Sequence, residues 1–198
     1  MYKFTRFIGA CFAGVLAASA GATTVGLVLP NAGIPVGSTF SVVLQVSGLR
    51  GNSADTLGLF DIDLGFDRTR LLLDEVSFGT HLDAQGLGSI QDAVVGIGTV
   101  NLFEQSLDPA SVLQALQPDT FALATLTFLA VGAGPASFQL RVNSFLNANS
   151  DPLIFSISPP GSVVIAAIPE PASAWAFSLG LLALAYRRRL PLQFGTAN

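Results

Sequence analysis

Cysteine and histidine are almost absent from this sequence, and each absence excludes a class of chemistry. The chain of 198 residues has one cysteine, Cys11, and one histidine, His81. A disulfide within the chain and a metal site with several thiolate or imidazole ligands are therefore excluded. The sequence also lacks a glycine-rich phosphate-binding loop and the GxSxG and HExxH motifs. These absences make an enzyme the weaker hypothesis and predict no cofactor.

Charged residues are scarce as well, and the few that are present are unevenly distributed. They form 11% of the chain, whereas hydrophobic residues form 51%. Five of the nine basic residues lie near the ends, but twelve of the thirteen acidic residues lie between them. The part between the ends therefore carries four arginines and twelve carboxylates, a formal charge of −8. Because this charge repels a phosphate backbone, we expect no nucleic-acid partner.

The N-terminus has the three parts of a secretory signal peptide. Lys3 and Arg6 precede the apolar run 7–18, which predicts a signal helix, and small residues follow. Cleavage is expected after Ala20 or Ala22, because each has an alanine two residues before it. A lipoprotein signal at Cys11 is the alternative, but only about seven residues precede its "IGAC" sequence. We therefore predict export and a signal peptide over residues 1–22.

The C-terminal region contains a short apolar run between prolines and arginines. The run 172–186 has no charged residue, and about 15 residues form about 22 Å of helix. A hydrocarbon core of about 30 Å is usually spanned by about 20 residues. Pro169 and Pro171 place the helix start after them, and the arginines keep the other end cytoplasmic. We predict a short transmembrane helix over 172–186, with a buried core helix as the alternative.

"PEP", the apolar run and the arginines, in this order, resemble the PEP-CTERM sorting signal of exported bacterial proteins. The resemblance covers roughly residues 168–189. It implies a recognition motif, a transmembrane segment and a stop-transfer cluster, which correspond to Pro169, Glu170 and Pro171, to 172–186, and to Arg187, Arg188 and Arg189. Proteins of this family are processed by the exosortase, a membrane-embedded cysteine peptidase. The resemblance therefore implies an inner-membrane tether on the periplasmic side, processing within 167–198, and release to the cell surface or an exopolysaccharide matrix.

Residues 23–166 show the alternating hydrophobicity of antiparallel strands. In "GLFDIDLGFD", one face carries Phe60, Ile62, Leu64 and Phe66 and the other carries aspartates, as in a half-buried strand. "TFALATLTFLAV" is apolar on both faces, which is typical of a central strand. We predict an all-β antiparallel sandwich of about eight or nine strands.

Two segments of this domain lack the strand pattern. "LDPASVLQALQP" predicts one short helix with Asp108 as the N-cap and Pro109 as the first helical residue. The glycine-rich residues 80–98 predict a long loop with short strand fragments. We therefore expect a single helix inside the sandwich and one extended connection on its surface.

"LGFDRTRLLLDEV", together with the strands on either side of it, resembles a cohesin-like β-sandwich. The resemblance covers roughly residues 24–165 and rests on an aromatic-Asp step followed by a leucine-rich strand. Cohesins bind dockerin modules through one sheet face, and their relatives include carbohydrate-binding sandwiches. The resemblance therefore implies a cohesin-like fold and a binding role.

Two sets of residues are candidates for catalysis. His81 would need a nucleophile and an orienting carboxylate to act as a base, and it is more simply a loop residue. Asp61 and Asp63 lie two residues apart, roughly 7 Å along a strand, and form either a solvated sheet face or an exposed glycosidase pair. Neither set has the spacing of a known catalytic motif.

"LNANSDPL" is a weak candidate for a calcium site. Asn147, Asn149 and Asp151 alternate as oxygen donors, as at the start of a calcium loop. Pro152 stands where such a loop has glycine, and Ser158 stands where it has glutamate. A turn between two strands explains the same residues, so we predict no further metal ligand.

The sequence as a whole favours a non-catalytic, surface-sorted binding or matrix protein. Its partner would be a polysaccharide or another extracellular protein. The alternatives are a secreted hydrolase that acts on polysaccharide and a membrane-anchored, cohesin-type module for protein–protein interaction. Carboxylates that converge in a pocket would favour the hydrolase, whereas a flat sheet face would favour binding.

Overall fold

The computed structural model describes residues 23–49, 55–167 and 172–187. The chain in these ranges forms eleven strands and two helices, which are β1 (Thr23–Val28), β2 (Ile34–Pro35), β3 (Thr39–Ser47), β4 (Leu57–Phe66), β5 (Leu71–Phe78), β6 (Ser89–Val95), β7 (Thr99–Ser106), α1 (Ala110–Leu116), β8 (Phe121–Ala130), β9 (Gly134–Asn147), β10 (Phe155–Ile157), β11 (Ser162–Ala166) and α2 (Ala172–Arg187). The predicted signal peptide, the Pro-Glu-Pro motif and Arg188 and Arg189 lie outside the described residues.

The strands form two sheets, as the sequence predicts. The five-stranded sheet has the order β10-β1-β3-β8-β5, and the six-stranded sheet has the order β2-β11-β9-β4-β7-β6. Neighbouring strands are antiparallel, except that β1 with β10 and β2 with β11 are parallel pairs. The prediction of a mostly β, two-sheet body with one short helix is therefore confirmed, but the structure has more strands than the eight or nine predicted, and two of its strand pairs are parallel.

The core lies between the sheets and contains the apolar face of β4. Phe60, Ile62 and Leu64 are fully buried, and Phe66 is partly buried against the core. Phe128 on β8 of the facing sheet contacts Phe66 edge-on, with 5.1 Å between ring centroids. The alternation in this strand places its aspartates on the opposite, outer face of the six-stranded sheet.

Two local predictions need correction. Residues 80–98 were predicted to be a long loop with short strand fragments, whereas residues 89–95 form one continuous strand of seven residues, β6. This strand escapes detection because it lies at a sheet edge and is exposed on both faces, so it lacks the alternation of a half-buried strand. Helix α1 begins at Ala110 with Pro109 as its N-cap, whereas the Asp108 carboxylate accepts a hydrogen bond from the Gln85 backbone N–H at 3.0 Å.

The second helix, α2, covers the apolar run predicted to be helical, and it has 16 residues. Its side chains from Phe177 to Leu184 are exposed to solvent. The part of the chain that the structure describes contains no helix with the length and hydropathy that crossing a membrane requires.

Candidate binding surfaces

The outer face of β4 carries a hydrogen-bonded polar cluster, formed by Asp61, Asp63, Asn101 and Asn143. Strand β4 lies between β7 and β9, so Asp63 stands opposite Asn101 on one side and Arg141 on the other. The Asn101 side-chain amide donates to Asp61 Oδ1 at 2.6 Å and to Asp63 Oδ1 at 2.8 Å. Both aspartates therefore lie on one solvated face, bridged by Asn101, which is about 40 positions away in the sequence.

The hydrogen bonds of this polar cluster determine the ionisation of Asp63. Donation from Asn101 and then from Asn143 holds the pKa of Asp63 below its ordinary value of 3.8, and the positive charge of Arg141 adds to this effect. Asn143 Nδ2 also donates to Asp61 Oδ1 at 3.2 Å. A carboxylate with a lowered pKa keeps its negative charge at neutral pH, so it presents an acceptor and not a proton.

A shallow depression of about 450 Å³ lies beside the polar cluster. It is lined by side chains of β4, β6, β7 and β9, among them Asp63, Val94, Asn101, Gln139 and Arg141. The lining combines carboxylate, amide, guanidinium and apolar groups. Such a mixed, shallow surface is suited to contact with a macromolecule.

His81 packs as a structural residue. Its ring stands edge-on against Phe121, with 4.9 Å between centroids, and its backbone carbonyl accepts from Gln117 Nε2 at 3.3 Å. Gln117 also bonds both backbone groups of Leu57, at 2.7 and 3.0 Å, in a buried setting. The structure thus places His81 beside a contact that holds the end of α1 against β4.

The three residues of the weak calcium candidate close a turn after β9. Asn147 Oδ1 accepts the backbone N–H groups of Asn149 at 2.9 Å and of Asp151 at 2.8 Å. The Asn147 backbone N–H in turn donates to the Asp151 carbonyl at 2.8 Å. Among the described residues, no three His, Cys, Asp or Glu side chains are grouped closely enough to hold a metal ion.

A buried carboxylate at Glu104 was not predicted. Glu104 is fully buried, and its Oε1 accepts from Ser89 Oγ at 2.7 Å and from Gln91 Nε2 at 2.9 Å. Burial raises the pKa of Glu104 above its ordinary value of 4.5, although these two hydrogen bonds oppose the shift. The alternation of Val100, Leu102 and Glu104 on one face of β7 is the pattern that could have identified it.

Solved structures that are similar to this chain include cohesin modules. The seventh ScaB type I cohesin from Pseudobacteroides cellulosolvens is 17% identical and covers 76% of this chain and 96% of its own, with a TM-score of 0.55. A cohesin in a type I cohesin–dockerin complex from Clostridium thermocellum is 9% identical over 74% of this chain and all of its own, at 0.56. A non-cellulosomal cohesin from Archaeoglobus fulgidus is 13% identical over 79% of this chain and 98% of its own, at 0.53.

The C-terminal region matches a sequence family. Residues 167–189 match the PEP-CTERM protein-sorting motif, which agrees with the resemblance seen in the sequence. No curated protein matches the chain significantly. The chain therefore combines a cohesin-like β-sandwich with a PEP-CTERM sorting motif.

Proposed function

We propose that this chain is an exported, surface-sorted and non-catalytic module that binds another protein through the outer face of the six-stranded sheet. The observation that carries the proposal is the pairing of a cohesin-like fold with a sorting motif in one chain. Similar structures include two that are described as type I cohesin–dockerin complexes, so this fold is used there to bind a protein module.

The polar cluster around β4 supports binding over hydrolysis. A glycosidase needs one carboxylic acid with a raised pKa, so that it can protonate the leaving group. The pKa of Asp63 is instead lowered, and Asn101 bridges it to Asp61. These carboxylates are suited to accept hydrogen bonds from a partner, and the shallow depression beside them is open to a protein surface.

In this proposal, signals at the two ends of the chain direct the domain through export, membrane tethering and release. Residues 1–22 are removed on export, residues 23–166 form the binding domain, and residues 167–198 form the sorting signal. The segment 172–186 tethers the domain to the inner membrane from the periplasmic side, and Arg187, Arg188 and Arg189 stop transfer. The exosortase then cuts near Pro169–Pro171, and the domain moves to the cell surface or into an exopolysaccharide matrix.

A cell-fractionation experiment tests the sorting route. In a host with an exosortase, we expect mass spectrometry to find the wild-type domain without its arginines and outside the inner membrane. Glu170→Ala and Pro171→Ala should keep the full-length chain in that membrane, because both alter the recognition motif. Gln114→Ala, an exposed change on α1, is the matched control. Normal processing of both variants, or a wild-type chain that retains the arginines, would refute this route.

Photocrosslinking tests the binding face. A photoreactive residue at Gln139 reports on the outer face of the six-stranded sheet, and one at the exposed Ser41 reports on the outer face of the five-stranded sheet. We expect a discrete protein adduct from position 139 on host cells, and we expect Asp63→Lys to remove it by charge reversal. Equal adducts at both positions, or an adduct that survives Asp63→Lys, would exclude this face.

A further inference from the structure

We propose that the open edge of β6 is a second binding site, which takes an extended segment of a partner protein by strand addition. One face of this segment would extend the outer face of the six-stranded sheet. On that face, the segment would carry a basic residue between two apolar residues. This edge differs from the polar cluster around β4, although Val94 also lines the depression beside that cluster. Because strand addition uses the backbone of β6, its failure would leave the proposed function intact.

Strand β6 is the one unprotected sheet edge among the strands that the structure describes. The edge strands β2 and β10 have only two and three residues. The edge strand β5 is bulged at Asp74 and carries a second acid, Glu75, and both features discourage pairing. By contrast, β6 has seven residues in continuous register with β7 and no described strand on its other side.

The register of β6 shows which backbone groups face outward. The Leu107 N–H donates to the Gly88 carbonyl at 3.3 Å, and the Gly96 N–H donates to the Thr99 carbonyl at 2.8 Å. Because hydrogen-bonded pairs recur at every second residue of an antiparallel ladder, the even-numbered residues of β6 bond to β7. The odd-numbered residues Gln91, Ala93 and Val95 therefore direct their N–H and C=O groups to the open edge, and all three are exposed.

The side chains of β6 specify the chemistry of the occupant. Ile90, Asp92 and Val94 share the outer face, and the two apolar side chains are 51% and 57% exposed. Asp92 makes no hydrogen bond or ion pair within the described part of the chain. An added antiparallel strand places its side chains directly opposite these three, so apolar, basic and apolar residues are the matching order.

A second copy of this chain matches the edge poorly. The antiparallel register that sets Ile90 against Val94 of a second copy also sets the two Asp92 carboxylates opposite each other. Like charges in directly opposed positions destabilise a strand pair. The net negative charge of the domain also opposes association with a second copy, whereas it attracts a basic segment.

The edge is held in place before any partner arrives. Buried Glu104 accepts hydrogen bonds from Ser89 and Gln91, which fixes β6 against β7 on the inner face. Gly98, with a φ of 72°, takes the left-handed conformation in the turn that joins the two strands. A preformed edge spares an incoming segment the cost of ordering its template.

The probe for this site is the blocked peptide Thr-Val-Thr-Lys-Thr-Val-Thr, which places valine, lysine and valine on one face. We would titrate it into the ¹⁵N-labelled full-length chain in mild detergent. Hydrogen exchange of the Gln91, Ala93 and Val95 amides should slow at saturation, whereas the Ile90, Asp92 and Val94 amides, already bonded to β7, should change little. A Lys→Glu peptide should bind about fivefold more weakly, and Asp92→Lys should reverse that preference.

A proline substitution separates strand addition from side-chain contact. Ala93→Pro removes one outward N–H and no bond to β7, so the fold should survive and peptide protection should be lost. Ala93→Thr keeps the N–H and should keep the protection. Exchange that does not alternate, peptide shifts confined to the polar cluster, or no protection at millimolar peptide would overturn the proposal. Dimerisation of the free chain that Ala93→Pro abolishes would assign the edge to a second copy and would overturn it equally.

Discussion

Glu104 is a residue whose charge costs stability, because it is buried on the inner face of β7 with one oxygen unpartnered. Its Oε2 has no hydrogen-bond partner among the described residues, while Oε1 accepts from Ser89 and Gln91. Desolvation is the larger effect and raises the pKa of Glu104. The folded chain therefore binds this proton up to a higher pH than the unfolded chain does.

We expect the wild-type chain to lose stability as the pH rises and Glu104 ionises, and we expect Glu104→Gln to abolish this loss. The raised pKa means that stability is fully present below the ordinary value of 4.5 and is lost as the pH rises through the folded pKa. Glutamine keeps the acceptor for Ser89 and Gln91 but cannot ionise. Denaturant unfolding should show the variant gaining stability over wild type between pH 4 and pH 7.

Asp63→Asn serves as a control of opposite sign. The pKa of Asp63 is lowered by Asn101 and Asn143, so its contribution is present above the ordinary value of 3.8 and is lost as the pH falls through the folded pKa. This variant should lose stability relative to wild type at pH 7 and not at the lowest pH. If Glu104→Gln and Asp63→Asn respond to pH in the same direction, the assigned causes are wrong.

At the scale of an element, the junction of β5 with β8 depends on a close backbone approach at Gly79. A Cβ atom on Gly79 would clash with the Ala122 carbonyl oxygen, and the Gly79 N–H donates to the Leu123 carbonyl at 2.8 Å. Backbone atoms cannot move aside as a flexible side chain can. Glycine is therefore required at this position because the backbone of β8 approaches so closely.

We expect Gly79→Ala to lower the free energy of unfolding by about 1–3 kcal/mol, because the strands must separate to admit the methyl group. Gly33→Ala is the matched control, since its nearest neighbour would be the Val164 carbonyl oxygen at 4.0 Å. Urea denaturation of both variants measures the difference. Equal midpoints for Gly79→Ala and Gly33→Ala would contradict the close approach.

At the scale of the whole molecule, Phe128 joins the two sheets. It belongs to β8, and its ring lies 5.1 Å from Phe66 on β4 and 5.5 Å from Phe138 on β9 of the facing sheet. Phe40 on β3 stacks against it at 5.9 Å. A chain without disulfides depends on such packing for its stability.

We expect Phe128→Ala to cost about 3–5 kcal/mol, a large share of the roughly 5–15 kcal/mol that stabilises a domain. The comparison is Phe103→Ala, because Phe103 lies half-buried on the outer face and joins no second sheet. Thermal unfolding should show a much larger loss for Phe128→Ala. Similar losses from the two variants would show that the core is not centred on this ring.

Elements with one buried face could be predicted, and the contacts between distant elements could not. The aspartates of β4 were correctly assigned to a solvated face, because side chains alternate along any strand whose other face is buried. Asn101 was not connected with them, since its position opposite Asp63 follows from the pairing of β4 with β7. The edge β6 was missed because a strand exposed on both faces has no alternation to detect.

Local sequence is enough to predict the apolar face of β4, the two-sheet class of the body and the sorting motif at residues 167–189, because each depends on neighbours in the chain. Which distant residues come into contact depends on the tertiary structure. The bridge from Asn101 to Asp61 and Asp63, the burial of Glu104 and the open edge of β6 depend on strand order and register. Local periodicity does not encode strand order or register. Many strand pairings satisfy the same hydrophobic pattern, and the packing of the whole sandwich selects among them.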